Sequence, residues 1–293
     1  MRRTVIVRTH YADPSLEAMI AALSPVGDVL VVADETEQPV DIRNAPKLGL
    51  TLAAAEDWGV FAGVPRIFWR CGDYSLFAAR QLMPNKDFFW MIEPDVRLSF
   101  DDFTQFFDHF DAHCAADFVA ARLAPAAPDW DWAPSVGGRY ASVWQCLFPL
   151  VRLSGKAIDF LLEQRRADTA ARGDKDPDSW PNDEAFTATT LANNGFSLAD
   201  FNEFGTFYSA ETLSFWSPIA ESAFRAKPPD GMIHHPVLSG RRLFEKLFYI
   251  ALCKQDLPGL LASIAALTGR EWPDADAAAY RQIVEAAQQS LPR

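Results

Sequence analysis

Residues 88–92, which read FFWMI, are the feature that most limits how this chain can fold. Five consecutive large apolar residues without polar alternation are typical of a strand that is buried on both faces. Residues 4–10 (TVIVRTH) and 28–35 (DVLVVADE) have the composition of two earlier strands, and the apolar spacing of residues 15–25 between them predicts a helix. Strands that alternate with helices predict an α/β fold with a mostly parallel sheet.

The rest of the chain continues this alternation. Asp73 is expected to be the N-cap of a helix at 72–84, and Ser99 with Asp102 is expected to form a capping box that opens a helix at 101–113. Further strands are predicted at 117–123, 143–153 and 196–201, a helical or mixed segment at 48–61, and helices at 72–84, 101–113, 155–167 and 182–195. The pattern is helical from 241 onward, which predicts a domain over residues 1–240 and a helical C-terminal extension over 241–293 packed on it.

Composition limits the partners. The net charge of −12 repels polyphosphate backbones and anionic headgroups, so we expect no nucleic-acid partner and at most peripheral membrane contact. The chain shows no signal peptide and no apolar run of membrane-spanning length, and its four cysteines form no C-x-x-C pair. These features predict a cytoplasmic protein with reduced thiols.

Two carboxylates follow the apolar strand directly, in the sequence Glu93-Pro94-Asp95. Ligands of open α/β sheets bind beyond the carboxyl ends of the strands, and residues two apart in an extended segment project to the same side. Two such carboxylates suit a hard divalent cation that keeps its other positions for water and phosphates. The alternative is that they solvate a strand end or pair with Arg97.

Four short motifs in this order resemble nucleotide-sugar-dependent glycosyltransferases of the GT-A type: VRTH (7–10), WRCGDY (69–74), EPDV (93–96) and NDE (182–184). The resemblance covers roughly residues 4–237 in element order and implies a GT-A-like fold. It also implies that Glu93 and Asp95 are a variant of the D-x-D motif, which holds Mn²⁺ or Mg²⁺ against the diphosphate of the donor. Glu93 stands where the family has its first Asp, and Pro94 occupies the middle position.

The resemblance further implies a general base at a helix start and a late histidine near the metal. Asp183 and Glu184 follow the predicted N-cap Asn182, where the helix dipole favours an ionised carboxylate, and Asp183 is the first choice as base. The alternative is that both only satisfy helix-start preferences. His234 and His235 are candidate metal ligands, of which only one can face a given site in an extended segment.

Other residues are expected to contact the donor or a sugar. Trp130 and Trp132 lie in the polar, proline-bearing stretch 124–140 and can stack on a pyranose ring, although core packing is the commoner role of tryptophan. Positions at strand ends and at a helix start are expected to face the same crevice and bind the nucleotide; they are Arg8, Thr9, Asp34, Gly72 and Asp73.

The expected function is therefore metal-dependent transfer of a sugar from a nucleoside-diphosphate donor to a hydroxyl of a carbohydrate or glycolipid acceptor. A nucleotidyltransferase is one alternative, but no Gly-rich phosphate loop follows Val7. The other is a noncatalytic sugar- or protein-binding module. Residues 241–254 (RRLFEKLFYIALCK) are expected to form a core-facing amphipathic helix, with a membrane surface or a second subunit as alternative contacts.

Overall fold

The computed structural model describes residues 3–174 and 176–290. The chain forms two compact units. The first comprises Met1–Pro94 and Thr104–Thr206, and the second comprises Asp95–Phe103 and Phe207–Arg293. The predicted division of the chain at residue 240 stays a prediction.

Strands and helices are numbered along the described chain. The strands are β1 (Arg3–Thr9), β2 (Gly27–Asp34), β3 (Lys47–Leu50), β4 (Phe88–Ile92), β5 (Arg97–Ser99), β6 (Phe118–Pro125), β7 (Trp144–Ser154), β8 (Leu198–Asp200), β9 (Ile219–Ala220), β10 (Met232–His234) and β11 (Val237–Leu238). The helices are α1 (Pro14–Leu23), α2 (Leu52–Asp57), α3 (Ile67–Arg70), α4 (Asp73–Leu82), α5 (Thr104–His113), α6 (Ala133–Val136), α7 (Gly155–Ala171), α8 (Asp183–Ala192), α9 (Glu221–Arg225), α10 (Gly240–Lys254), α11 (Leu257–Leu267) and α12 (Asp274–Ser290).

Among the described residues, the first unit contains a seven-stranded sheet in the order β3-β2-β1-β4-β7-β6-β8. All neighbours in it pair in parallel except β7, which runs antiparallel to both β4 and β6. The predicted α/β class with a mostly parallel sheet is confirmed. β1 and β4 lie side by side, yet the chain continues from β1 to β2 on one side and from β4 toward β7 on the other. This point of reversal is where open α/β sheets bind their ligands.

The apolar run of β4 is buried on both faces, as its composition predicts. Trp90 is 1% exposed and packs against Phe106, Phe107 and Phe110 of α5 at ring-centroid distances of 4.9–5.8 Å. The alternate residues Phe89 and Met91 belong instead to the main core with residues of α4 and α7. A strand with no polar face thus has helices on both sides to receive its side chains.

Several boundaries differ from the sequence predictions. The mixed segment 48–61 divides into the edge strand β3 and the short helix α2, whose Ala54 N–H donates to Thr51 Oγ1. The capping box at Ser99 is wrong, because Ser99 lies in β5 and its hydroxyl accepts from the N–H of Asp230 at 3.2 Å. The stretch 124–140 contains α6, and α7 extends to Ala171.

The predictions for α8 and for the C-terminal helices are confirmed. Asn182 caps α8, since its side-chain oxygen accepts from the Ala185 N–H at 2.9 Å. The residues after 240 form α10, α11 and α12, which pack together in the second unit around an apolar cluster. No helix among the described residues has the length and apolar character to cross a membrane.

Asp73 is not the N-cap of α4, because Gly72 occupies that position and Asp73 has another role. The carboxylate of Asp73 and the guanidinium of Arg165 are both 0% exposed, and they form two hydrogen bonds of 2.7 and 3.1 Å. Arg165 also donates to the carbonyl of Pro181 at 3.0 Å. This buried ion pair therefore fixes the start of α4 to α7 and to the residues that lead into α8.

Asp73→Ala should destabilise the protein by roughly 3–5 kcal/mol, because it leaves a buried guanidinium without its counter-charge. Equilibrium urea unfolding measures the change. The matched control is Asp159→Ala, whose carboxylate is 53% exposed and pairs with Arg80. That variant should lose about 1 kcal/mol or less. Equal losses for the two variants would contradict a structural role for the buried pair.

Candidate active site

The ends of β1 and β4 bring a cation and an anion together at the sheet's reversal point. Arg8, the penultimate residue of β1, forms an ion pair with Glu93, which directly follows β4. Arg8 also donates to Asp183 Oδ2 at 3.1 Å and to the carbonyl oxygen of Trp69 at 3.3 Å. Its side chain is only 11% exposed, and its guanidinium is shared by the carboxylates of Glu93 and Asp183.

Asp183 is held by three hydrogen bonds. Its Oδ2 accepts from Arg8 and from the N–H of Gly72 at 2.8 Å, and its Oδ1 accepts from the N–H of Glu184 at 2.8 Å. A Cβ at Gly72 would lie 1.6 Å from Arg8 Nη1 and 2.7 Å from Asp183 Oδ2. The absence of a side chain at Gly72 is therefore what allows the guanidinium and this carboxylate to meet.

The two adjacent carboxylates at the start of α8 have different surroundings. Burial raises the pKa of Asp183 to about 6, while the charge of Arg8 and the Gly72 N–H oppose the rise. Burial raises the pKa of Glu184 to about 8, and the charge of Asp183 adds to it. Glu184 is only partly buried, so its side chain retains contact with solvent. Asp183 accepts three hydrogen bonds, while Glu184 accepts from the backbone of Phe148 and the side chain of Asn182. The pKa of Glu184 is raised further above its ordinary value than that of Asp183.

In the second unit, Asp95 and His235 lie side by side. His235 Nε2 is 3.5 Å from Asp95 Oδ2, and the Val237 N–H donates to the Asp95 carbonyl at 2.8 Å. His234 points elsewhere and bonds through Nε2 to Asp230 Oδ2 at 2.9 Å. The prediction that adjacent histidines face different surroundings is consistent with these contacts, and His235 is the one placed beside the acidic motif.

Asp95, His235 and Glu93 all carry atoms of the kind that bind divalent metals. Glu93 belongs to the first unit and precedes Asp95 by two residues, so chain connectivity alone keeps the two carboxylates in one neighbourhood. Carboxylates suit Mg²⁺ and Mn²⁺, and an imidazole is a common additional ligand of transition metals. The donor set of these residues therefore fits the predicted cation, whereas His234 is engaged by Asp230.

Three predicted donor contacts form hydrogen bonds within the protein. Thr9 Oγ1 donates to the carbonyl of Tyr11 at 2.8 Å. Asp34 Oδ1 accepts from the N–H and the hydroxyl of Thr36 at 3.0 and 2.7 Å. Asp73 is 0% exposed, and Arg165 donates a hydrogen bond to each of its carboxylate oxygens.

The tryptophans of residues 124–140 are half-buried. Trp132 lies beneath the guanidinium of Arg70, 5.2 Å from ring centroid to Cζ, and Trp130 shares its loop. The more exposed tryptophan is Trp69, at 56%, whose carbonyl oxygen accepts from Arg8. Sequence reasoning did not single out Trp69 or Arg165. The WRCGDY motif was the available signal for Trp69, and no local pattern connects residue 165 to residue 73.

No protein-family model and no curated protein matches the chain. Many solved structures, including these three, are similar in fold at low identity. A glycosyltransferase involved in glycosylation of the major capsid of PBCV-1 is 12% identical over 85% of this chain and 99% of that one, with a TM-score of 0.39. Mouse xyloside xylosyltransferase 1 is 11% identical over 74% and 87%, with a TM-score of 0.39. A putative glucose-1-phosphate thymidylyltransferase from Bacillus anthracis is 10% identical over 68% and 86%, with a TM-score of 0.37. Likeness at this level assigns no family, and function is argued from the chain's own residues.

Glu184→Gln should change how stability depends on pH. The folded pKa of about 8 lies above the ordinary value of 4.5, so the fold favours the protonated carboxyl. Its contribution is present at low pH and is lost as pH rises from about 4.5 to about 8. The melting temperature of Glu184→Gln minus that of the unmodified protein should therefore become more positive between these pH values.

The matched control is Glu163→Gln, whose side chain is 65% exposed. Its melting-temperature difference from the unmodified protein is the baseline for the same substitution at a surface position. A difference for Glu184→Gln that does not change with pH would show that residue 184 titrates alike in the folded and unfolded states, contrary to its burial.

Proposed function

We propose that this protein is a metal-dependent glycosyltransferase that moves a sugar from a nucleoside-diphosphate donor to a hydroxyl acceptor on a carbohydrate or glycolipid. The observation that carries the proposal is the cluster of Arg8, Glu93 and Asp183 at the carboxyl ends of β1 and β4. A crevice at a sheet's reversal point is where α/β proteins bind nucleotides, and a fixed guanidinium there matches a diphosphate.

Charge balance is the main demand of the reaction. Expelling a nucleoside diphosphate places negative charge on phosphate oxygens, and cations aimed at that charge lower the barrier. Arg8 supplies one such cation and is already oriented by Glu93 and Asp183. We assign Asp95 and His235, with Glu93, as the residues that would hold Mn²⁺ or Mg²⁺. That ion would act as a Lewis acid on the phosphate oxygens.

The acceptor hydroxyl needs a proton acceptor, and we assign this role to Glu184. Asp183 was the first choice from sequence, but its oxygens already accept three hydrogen bonds and its side chain is 7% exposed. Glu184 keeps contact with solvent, and its pKa of about 8 lies near the operating pH, where general bases are most effective. Asp183 then acts as a positioning residue for Arg8.

Nucleoside diphosphates should stabilise the protein only when Mn²⁺ is present. At about a hundred times its dissociation constant a ligand adds roughly 2.7 kcal/mol, which raises the melting temperature by several degrees. Thermal unfolding with UDP, GDP, CDP and ADP, each with and without Mn²⁺, measures this shift. Asp95→Asn should lose the metal-dependent part, and Gly72→Ala should weaken binding because its methyl group displaces Arg8.

The control for both variants is Asp41→Asn, whose carboxylate is 73% exposed and pairs with Arg43 at the surface. Its shift should equal that of the unmodified protein. No shift with any nucleotide would contradict the proposed donor site. If a nucleotide raises the melting temperature but the sugar nucleotides of the same base are neither hydrolysed nor used for transfer, a binding module would be favoured over an enzyme. Activity with nucleoside triphosphates instead would favour a nucleotidyltransferase.

A further inference from the structure

The second unit displays an aromatic surface that the proposed reaction does not use. Trp216 and Tyr249 are 45% and 49% exposed, and their rings stack at 6.3 Å with an interplanar angle of 17°. Phe215 meets both rings edge-on, at centroid distances of 5.1 and 6.2 Å. Leu252, one turn beyond Tyr249 on α10, is 39% exposed. The three aromatic residues are contiguous, and contiguous exposed apolar groups mark interaction sites more often than scattered ones do.

Tyr249 and Leu252 are exposed although α10 packs well on its other face. Leu243, Phe244 and Ala251 of the same helix are buried in the cluster formed with α11 and α12, and Ile250 is also buried. The core-facing role expected for this helix is therefore fulfilled by one face. The aromatic surface lies on α10 in addition to that face, so the fold of the helical bundle does not explain it.

The helix that carries this surface is locally basic in an acidic protein. Residues 240–254 contain four basic side chains and one acidic side chain, a net charge of +3 in a chain of −12. The acidic one, Glu245, is neutralised by Arg241 at 2.7 Å. Arg242 and Lys246 precede Tyr249 by seven and three residues and so follow the same stripe of the helix. Lys246 Nζ lies 3.0 Å from the ring centroid of Phe215.

We propose that this surface, composed of Phe215, Trp216, Arg242, Lys246, Tyr249 and Leu252, docks the protein reversibly on an anionic lipid surface. Trp and Tyr are the side chains that favour the membrane–water interface, since each combines an apolar ring with a polar group. Lys and Arg beside them bury their apolar stems and keep the charge at the level of lipid phosphates. The positive helix in an acidic chain gives the surface its selectivity for anionic lipid.

The size of the surface predicts weak, salt-sensitive attachment. Three exposed apolar side chains cannot anchor a protein of this size permanently, and each basic residue near an anionic bilayer adds about a fivefold gain in affinity. The rest of the chain is acidic and is repelled by the same bilayer. Lipid is therefore expected to contact the α10 surface and not the rest of the protein.

Vesicle flotation of the full-length protein tests this proposal. Vesicles of phosphatidylcholine mixed with an equal amount of phosphatidylglycerol should carry the protein at low salt, and added salt should release it. Vesicles of phosphatidylcholine alone should not. Trp216→Ser combined with Tyr249→Ser should reduce binding about tenfold or more, and Lys246→Gln about fivefold.

The matched control is Leu52→Ser combined with Leu82→Ser, which removes side chains that are 44% and 59% exposed in the first unit. It should bind vesicles as the unmodified protein does. Circular dichroism and thermal unfolding confirm that each variant folds, and the comparison of the two vesicle types needs no variant. Absence of flotation, equal flotation on both vesicle types, or a loss of self-association instead of lipid binding in Trp216→Ser/Tyr249→Ser would overturn the proposal.

Discussion

The buried ion pair between Arg165 and Asp73 is the interaction on which the candidate site depends. It joins α7 to the start of α4, and the same guanidinium binds the carbonyl that precedes the cap of α8. With both helix starts fixed, the N–H of Gly72 meets Asp183, and Asp183 meets Arg8. Removing two charges from water costs free energy. The hydrogen bonds of the buried pair fix the helix starts that position the more exposed cluster of Arg8, Glu93 and Asp183.

Local patterns allowed much of the fold to be predicted. The apolar run at 88–92 predicted a strand that is buried on both faces. β4 packs against the main core on one face and against α5 on the other. Asn182 caps α8 as its position before two acidic residues indicated. The failures at Ser99 and Asp73 share one cause. Each has a good local role as a helix cap, but a partner more than ninety residues away binds it more effectively.

The site was harder to predict than the fold. Residues that are adjacent in sequence differ in chemistry because different, distant parts of the chain contact them. Asp183 and Glu184 are equivalent as helix-start acids, and the sequence favoured Asp183 slightly as the base. Contacts from β1 and from the start of α4 engage Asp183, whereas Glu184 stays partly open to solvent. An extended backbone predicted that one histidine of the pair would face the acidic motif. Only the pairing of β10 with β5 and the bond from Val237 to Asp95 show that it is His235.

We propose that Arg8 binds the diphosphate of a sugar nucleotide, and that this binding depends on a divalent cation held by Asp95 and His235. The most direct measurement is a crystal structure with the best-binding nucleoside diphosphate and Mn²⁺, with anomalous scattering recorded to locate manganese. We expect diphosphate oxygens within hydrogen-bond distance of Arg8, and an anomalous peak beside Asp95 and His235. A nucleotide bound elsewhere, or a diphosphate at Arg8 with manganese bound away from both residues, would contradict it.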